Sequence, residues 1–147
     1  MRFAIFTGLG LTTWDAVREL WVHVDRSGWD AACVTDHFMP NTPEKVGDVM
    51  ECWTTLAALA PLVSRMRIGT IVAGNTYRHP AVHAHMAATV DVISNGRLDF
   101  GVGGGLSAAR SLADGLRSTQ PLARMQASSR VEPFEHAAWS RRNSAVV

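Results

Sequence analysis

A chain of 147 residues, 47% apolar and 18% charged, is long enough to bury a core and too apolar to be disordered. Its formal net charge of +1, with no Lys/Arg stripe in the first hundred residues, argues against a nucleic-acid partner. No segment is long enough to span a membrane: the longest uncharged run, Cys52 to Ser64, is broken by Thr54, Thr55 and Pro61.

In chain order, Arg2–Thr7 is a β-rich run ended by Gly8-Leu9-Gly10, a buried first strand and not a signal peptide, since no small-x-small cleavage site follows. Thr13 then caps a helix whose apolar face is Val17, Leu20, Trp21 and Val24, with Gly28 at its end. Asp30–Thr35 is a second short strand. The stretch from Asp36 to Asp48 carries Pro40, Asn41, Pro43 and Gly47 and is expected to be an irregular, exposed loop. Trp53, Leu56, Leu59, Ala60 and Val63 draw a second helical face, and Arg67–Ala73 is a third strand. Pro80 suits a helix N-terminus, and Val82, Met86, Val90 and Ile93 predict the buried face of a third helix. Asn95-Gly96 closes that helix, and Arg97–Val102 is a fourth strand.

Strands alternating with helices predict βα units around a parallel sheet. A (β/α)8 barrel takes about 250 residues, so the fold class is α/β, the N-terminal half of such a TIM-type barrel with about four βα units. Half a ring of strands has two open edges and an uncovered interior, which predicts self-association.

Residues 1–105 form this partial barrel domain, and residues 106–147 an atypical tail, helical or disordered. Arg, Ser and Ala fill half of the tail's positions, with no Ile, Lys or Tyr. That composition is what an altered reading frame in a GC-rich gene would give; the competing expectation is a genuine helix with Leu112, Leu116 and Leu122 on one face. Cys33 and Cys52 have no ligand-like spacing and are expected to be reduced thiols of a cytoplasmic protein.

In a βα barrel, chemistry sits at the C-terminal ends of the strands. Four clusters fall there: Gly8-Leu9-Gly10, Thr35-Asp36-His37, Gly74-Asn75-Thr76 and Gly103-Gly104-Gly105. A histidine at a strand end, with an unperturbed pKa of about 6.5, can donate or accept a proton at neutral pH. It can equally be a loop histidine bonded to backbone. Adjacent side chains on extended backbone point to opposite sides, so Asp36 and His37 reach one ligand together only if the chain turns between them. The glycine cluster fails the dinucleotide fingerprint at Leu106, which leaves either close approach of backbone to a planar ring or a tight turn. His79, His83 and His85 make no metal-ligand pattern, and no metal is expected. Trp14, Trp21, Trp29 and Trp53 are expected in the core or at its rim.

Three strings carry a family resemblance. They are Thr35-Asp36-His37, the run from Arg67-Ile68-Gly69-Thr70 through Gly74-Asn75-Thr76-Tyr77-Arg78-His79-Pro80, and Asp91-Val92-Ile93-Ser94-Asn95-Gly96-Arg97-Leu98 with Gly101-Val102-Gly103-Gly104-Gly105. Over residues 1–105 the chain resembles the luciferase-like monooxygenase superfamily, in particular its deazaflavin (coenzyme F420)-dependent oxidoreductases. The resemblance implies a barrel that binds F420, or alternatively FMN, at the strand C-termini. It also implies hydride transfer between that cofactor and a small organic substrate. His37 and Asp36 would be the catalytic residues facing the ring, and Ala73-Gly74 a bulge, often a cis peptide, behind it. Asn75, Gly103, Gly104 and Gly105 would lie beside it. Two departures favour an alternative, a non-catalytic truncated fragment. Leu106 stands where family members carry Trp, and no Glu occurs until Glu132. The second half of the barrel, whose loops hold the cofactor's phosphate tail, is missing from the pattern.

Overall fold

The computed structural model describes residues 1–44 and 46–104. The elements run β1 (Ala4–Thr7), α1 (Trp14–Arg26), β2 (Ala31–Val34), α2 (Cys52–Leu59) with a 3-10 turn (Ala60–Leu62), β3 (Arg67–Gly74), α3 (Pro80–Ile93) and β4 (Leu98–Gly103). The four strands form one sheet in the order β1-β2-β3-β4, and every neighbouring pair is parallel. This is the α/β architecture expected from the alternating patterns. The expected tail, residues 106–147, lies outside the described residues, as does Gly105 at the end of the expected barrel domain.

Helices cover one face of the sheet. Thr7, Ala32, Val34, Ile68, Thr70 and Leu98 point towards them and are buried, whereas Phe6, on the other face of β1, is 60% exposed. Trp21 of α1 is fully buried, and its indole Nε1 donates to Thr7 Oγ1 at 3.1 Å. Thr13 caps α1 as expected, its hydroxyl accepting from Ala16 N. Trp21 and Trp53 are core residues, while Trp14 and Trp29 sit at the rim. Cys33 and Cys52 are buried free thiols, and burial pushes the Cys33 thiol up to about 11.

Two helical faces differ from expectation. Leu20 is 42% exposed and outside the buried stripe of α1. In α3 the buried residues are His83, Ala87, Val90 and Asp91, while Val82 and Ile93 face out. The inward face of α3 is set by polar work at its end. Asp91 Oδ1 accepts from Leu98 N, Ser94 Oγ donates to Asp91 O, and Asn95 and Gly96 turn the chain with positive φ into β4. The loop after β2 is irregular, as expected. It is not wholly exposed: Pro40 is buried, and Gly10 and Val49 form an isolated bridge between this loop and the one after β1.

The N-terminal end of the sheet is closed by two charged side chains. Asp25 accepts from the backbone N–H of Ser64, Arg65 and Met66. Burial works against its negative charge, but those hydrogen bonds outweigh it and hold the carboxyl below its usual range. Arg97 donates to the carbonyls of Ala60, Val63, Met66 and Ser94 at 2.7–2.9 Å. Lysine has one donor centre where this geometry uses a fork. Arg97→Met should therefore leave carbonyls unpaired and cost about 3 kcal/mol, measured as a lower urea midpoint with an unchanged slope.

Candidate active site at the strand C-termini

Asp36, just past β2, meets the C-terminal end of β3, which in turn pairs with the end of β4. This carboxylate is buried and accepts three hydrogen bonds: Gly74 N at 3.0 Å, Arg78 Nη1 at 2.6 Å and Arg78 Nη2 at 2.9 Å. Arg78 Nη2 also reaches Glu51 Oε1 at 2.6 Å. Glu51 in turn caps α2, its other oxygen accepting from Thr54 N at 2.7 Å. Burial opposes the charges on Arg78 and Glu51. The carboxylates of Asp36 and Glu51 outweigh it for Arg78, raising the guanidinium further above its ordinary range, and hydrogen bonds from Thr54, then Arg78, hold the Glu51 carboxyl below its own. One arginine thus ties the end of β2, the end of β3 and the start of α2 together.

Arg78 was not singled out from the sequence. Its carboxylate partners are 42 and 27 positions away, so no local spacing announces the pair. Asp36 turns into the protein to meet it, and His37 follows half-buried on the next residue. The two side chains that the resemblance makes catalytic are therefore in different environments.

The bulge in β3 is two residues earlier than expected. Ala73 and Gly74, the expected bulge, stay in the ladder opposite Val102 and Gly103. The register instead shifts between Thr70 and Ala73, with a cis peptide at Ile71-Val72. The reason is pairing: Gly74 N is held by Asp36 and Asn75 N donates to Gly103 O at 2.9 Å, so the extra residue is accommodated upstream. As a result Ile71 and Val72 are exposed, 50% and 36%, as an apolar shoulder near the strand ends. Val72 lies over Gly103, where an added Cβ would collide with it. Gly74 is required by a second close approach, since its Cβ would stand 2.5 Å from the Tyr77 ring. That ring packs on Phe38 with centroids 4.7 Å apart.

Ala73, Gly74 and Asn75 are buried, and Gly103 and Gly104 half-buried, all at the same end of the sheet as Asp36 and His37. Gly105 is outside the described residues. Just beyond Asn75, the Thr76 hydroxyl is a buried polar atom with no hydrogen-bond partner among the described residues. Behind the site, His83 is buried among Trp53 and Phe100, with ring centroids 5.4 and 5.2 Å away. Its Nε2 likewise has no partner.

Comparison with known proteins sets this geometry in a family. The luciferase-like monooxygenase family matches residues 1–131. The chain belongs to that family. Among curated relatives, the F420-dependent glucose-6-phosphate dehydrogenase of Amycolatopsis mediterranei is 39% identical over 88 residues, covering 59% of this chain and 26% of the relative. Its counterpart 1 from Rhodococcus jostii is 36% identical over 104 residues, 70% of this chain and 30% of the relative. The chain thus spans less than a third of the length of these relatives. Among solved structures, an F420-dependent secondary alcohol dehydrogenase in complex with an F420–acetone adduct superposes with a TM-score of 0.78 at 20% identity, over 88% of this chain and 39% of that one. The FMN-bound oxygenating constituent of 3,6-diketocamphane monooxygenase from Pseudomonas putida gives 0.71 at 18% identity, over 95% and 42%. At these identities the structural matches establish the fold.

Two outcomes follow for the ion pair and for His83. Arg78→Met should cost about 3–5 kcal/mol, because it strands the buried Asp36 charge. The double variant Asp36→Asn with Arg78→Met should recover part of that loss in a thermal or urea melt. Burial and the nearby Arg78 charge push the His83 imidazole down to about 4. In that case the unfolded chain binds the proton first, so stability is full above about pH 6.5 and falls towards pH 4, by about 3 kcal/mol. His83→Leu should flatten that pH dependence.

Proposed function

We propose that this chain contributes to hydride transfer between the deazaflavin coenzyme F420 and a small organic substrate. The supporting observation is the gathering at one sheet end of a half-buried histidine, His37, an exposed apolar shoulder, Ile71 and Val72, and the backbone of Gly103 and Gly104. F420 is preferred to FMN because curated relatives that are 39% and 36% identical to this chain over the matched residues are named for F420.

The residues fit a planar ring. Ile71 and Val72 offer an apolar surface at which glycine leaves room, and the Thr76 hydroxyl, which has no hydrogen-bond partner among the described residues, follows in the loop after β3. The bound coenzyme would supply the hydride chemistry. His37 would hold or move a proton at an imidazole nitrogen. Asp36 would act through the backbone: committed to Arg78 and to Gly74 N, it anchors the loop and leaves His37 to face the ligand.

One observation favours the second reading, a chain that binds without turning over. Arg78, the arginine at the strand ends, is committed to Asp36 and Glu51, so it does not serve an anionic cofactor tail. Anionic cofactors take much of their affinity from cations and helix N-termini.

The test is a calorimetric titration of the 147-residue chain with F420 and with FMN, beside a steady-state assay. Weak binding of F420, weaker still for FMN, with no turnover by the chain alone is the expected result. His37→Ala should alter the F420 absorbance or fluorescence change on binding. Absence of binding to F420 at millimolar concentration, or tighter binding of FMN, would overturn the cofactor assignment. Turnover with micromolar affinity would overturn the second reading.

A further inference from the structure

The chain around His37 is held on both sides of it. Asp36, one residue before, is buried and fixed by Arg78 and Gly74 N. Pro40, three residues after, is also buried, and it seats against the loop after β1. A Cβ added to Gly10 of that loop would stand 3.2 Å from Pro40 Cα and 3.5 Å from Pro40 Cβ.

Two backbone hydrogen bonds clamp the loops together at this point. Met50 N donates to Leu9 O at 3.1 Å and Leu11 N donates to Asp48 O at 3.0 Å, on either side of the Gly10–Val49 bridge. Leu9 is buried in the core. Leu11 has a φ of 55°, a left-handed conformation that persists in a leucine only where the surroundings enforce it. They do so here: its amide is bonded to Asp48, and its Cδ2 takes the space that a side chain on Gly47 would need. Backbone strain of this kind gathers at functional sites, where it holds other groups in place.

We propose that Gly10 is a positioning residue for His37. Its lack of a side chain lets Pro40 lie against the β1 loop, and that contact sets the path of the chain from His37 to Pro40 at the strand ends. The inference rests on the role proposed above for His37 and adds the element that aims it. Because the close approach is to Pro40 Cα, a side chain at Gly10 displaces main chain and not merely a rotamer. Towards Asp36, which stays fixed, only three residues can absorb the shift. Proline locks its own φ and keeps Met39 before it extended, so the shift passes on towards His37.

A competing support lies between the two fixed points. Phe38 packs on Tyr77, with ring centroids 4.7 Å apart, and that contact comes from the β3 side. Phe38 is 43% exposed, however, whereas Pro40 is enclosed and meets backbone. A half-exposed ring can turn to follow its main chain; Pro40 cannot.

The test is nuclear magnetic resonance of the 147-residue chain carrying isotope-labelled histidine, with the His37 imidazole signals assigned by His37→Gln. Gly10→Ala should displace those signals, and Gly10→Val should displace them further. Gly8→Ala is the matched control, since it lies in the same loop and its added Cβ would meet no atom within 4 Å; it should leave them in place. On the unaltered chain, through-space contacts between Gly10 and Pro40 protons should be present, a readout that survives if a variant fails to fold. None of these signals needs a cofactor, so failure here and failure of F420 to bind are separate results. Unmoved His37 signals in Gly10→Ala, even with a lowered melting midpoint, would overturn the proposal. So would an equal displacement in Gly8→Ala, a displacement with Phe38→Ala but not with Gly10→Ala, or missing Gly10–Pro40 contacts.

Discussion

A buried carboxylate with an arginine across it holds this site together. Asp36 is buried away from solvent, and Arg78 and the Gly74 N–H supply the hydrogen bonds that a buried carboxylate requires. The carboxylate follows β2 and both of its donors belong to the end of β3 and the loop after it, so the pair fixes how β2 and β3 finish relative to one another. Through Glu51 it also fixes where α2 begins. Everything proposed for His37 presupposes this arrangement, because His37 is the residue next to the anchored one. The bulge is a further consequence: with Gly74 pinned to Asp36 and Asn75 to Gly103, the surplus residue of β3 has only the upstream stretch to occupy, and Ile71 and Val72 come to the surface.

The strands and helices were legible because their apolar residues recur at periods that only one element satisfies. The face of α3 was not. That helix is apolar nearly all round, so the spacing of its large residues carries no direction. What turns it is His83, Asp91 and Ser94, polar residues buried because they serve the chain's entry into β4 and the aromatic contacts with Trp53 and Phe100. The four clusters at the strand ends were legible as a set, since strand ends are where a βα fold gathers its loops. The position of the bulge was not, because it is decided by the register of β3 against β4, a non-local match. Nor was the role of Arg78, whose partners are far away in the chain.

The two ends of the sheet are built for different tasks. At the N-terminal end, Asp25 and Arg97 satisfy backbone groups of the connections that precede β3 and β4, and neither touches the candidate site. At the C-terminal end the charged pair works between loops and leaves glycine backbone and apolar side chains at the surface. The division matches the general separation in βα barrels between a face that confers stability and a face that carries chemistry. Substitutions at one end can then be tolerated without disturbing the other, since the two networks share no residue.

The strand order has a bearing on synthesis. Among the described residues, each strand after β1 pairs with the one that came before it, and each helix lies between the two strands it connects. None of these four strands waits for a distant partner, so the loops that must close between them are no longer than a single βα unit. The polypeptide emerging from the ribosome can add each unit onto the finished one, N-terminus first. The charged anchor is the exception: Asp36 is made some forty residues before Arg78. During that interval the carboxylate remains in water, and the mouth of the sheet is assembled only when the arginine arrives.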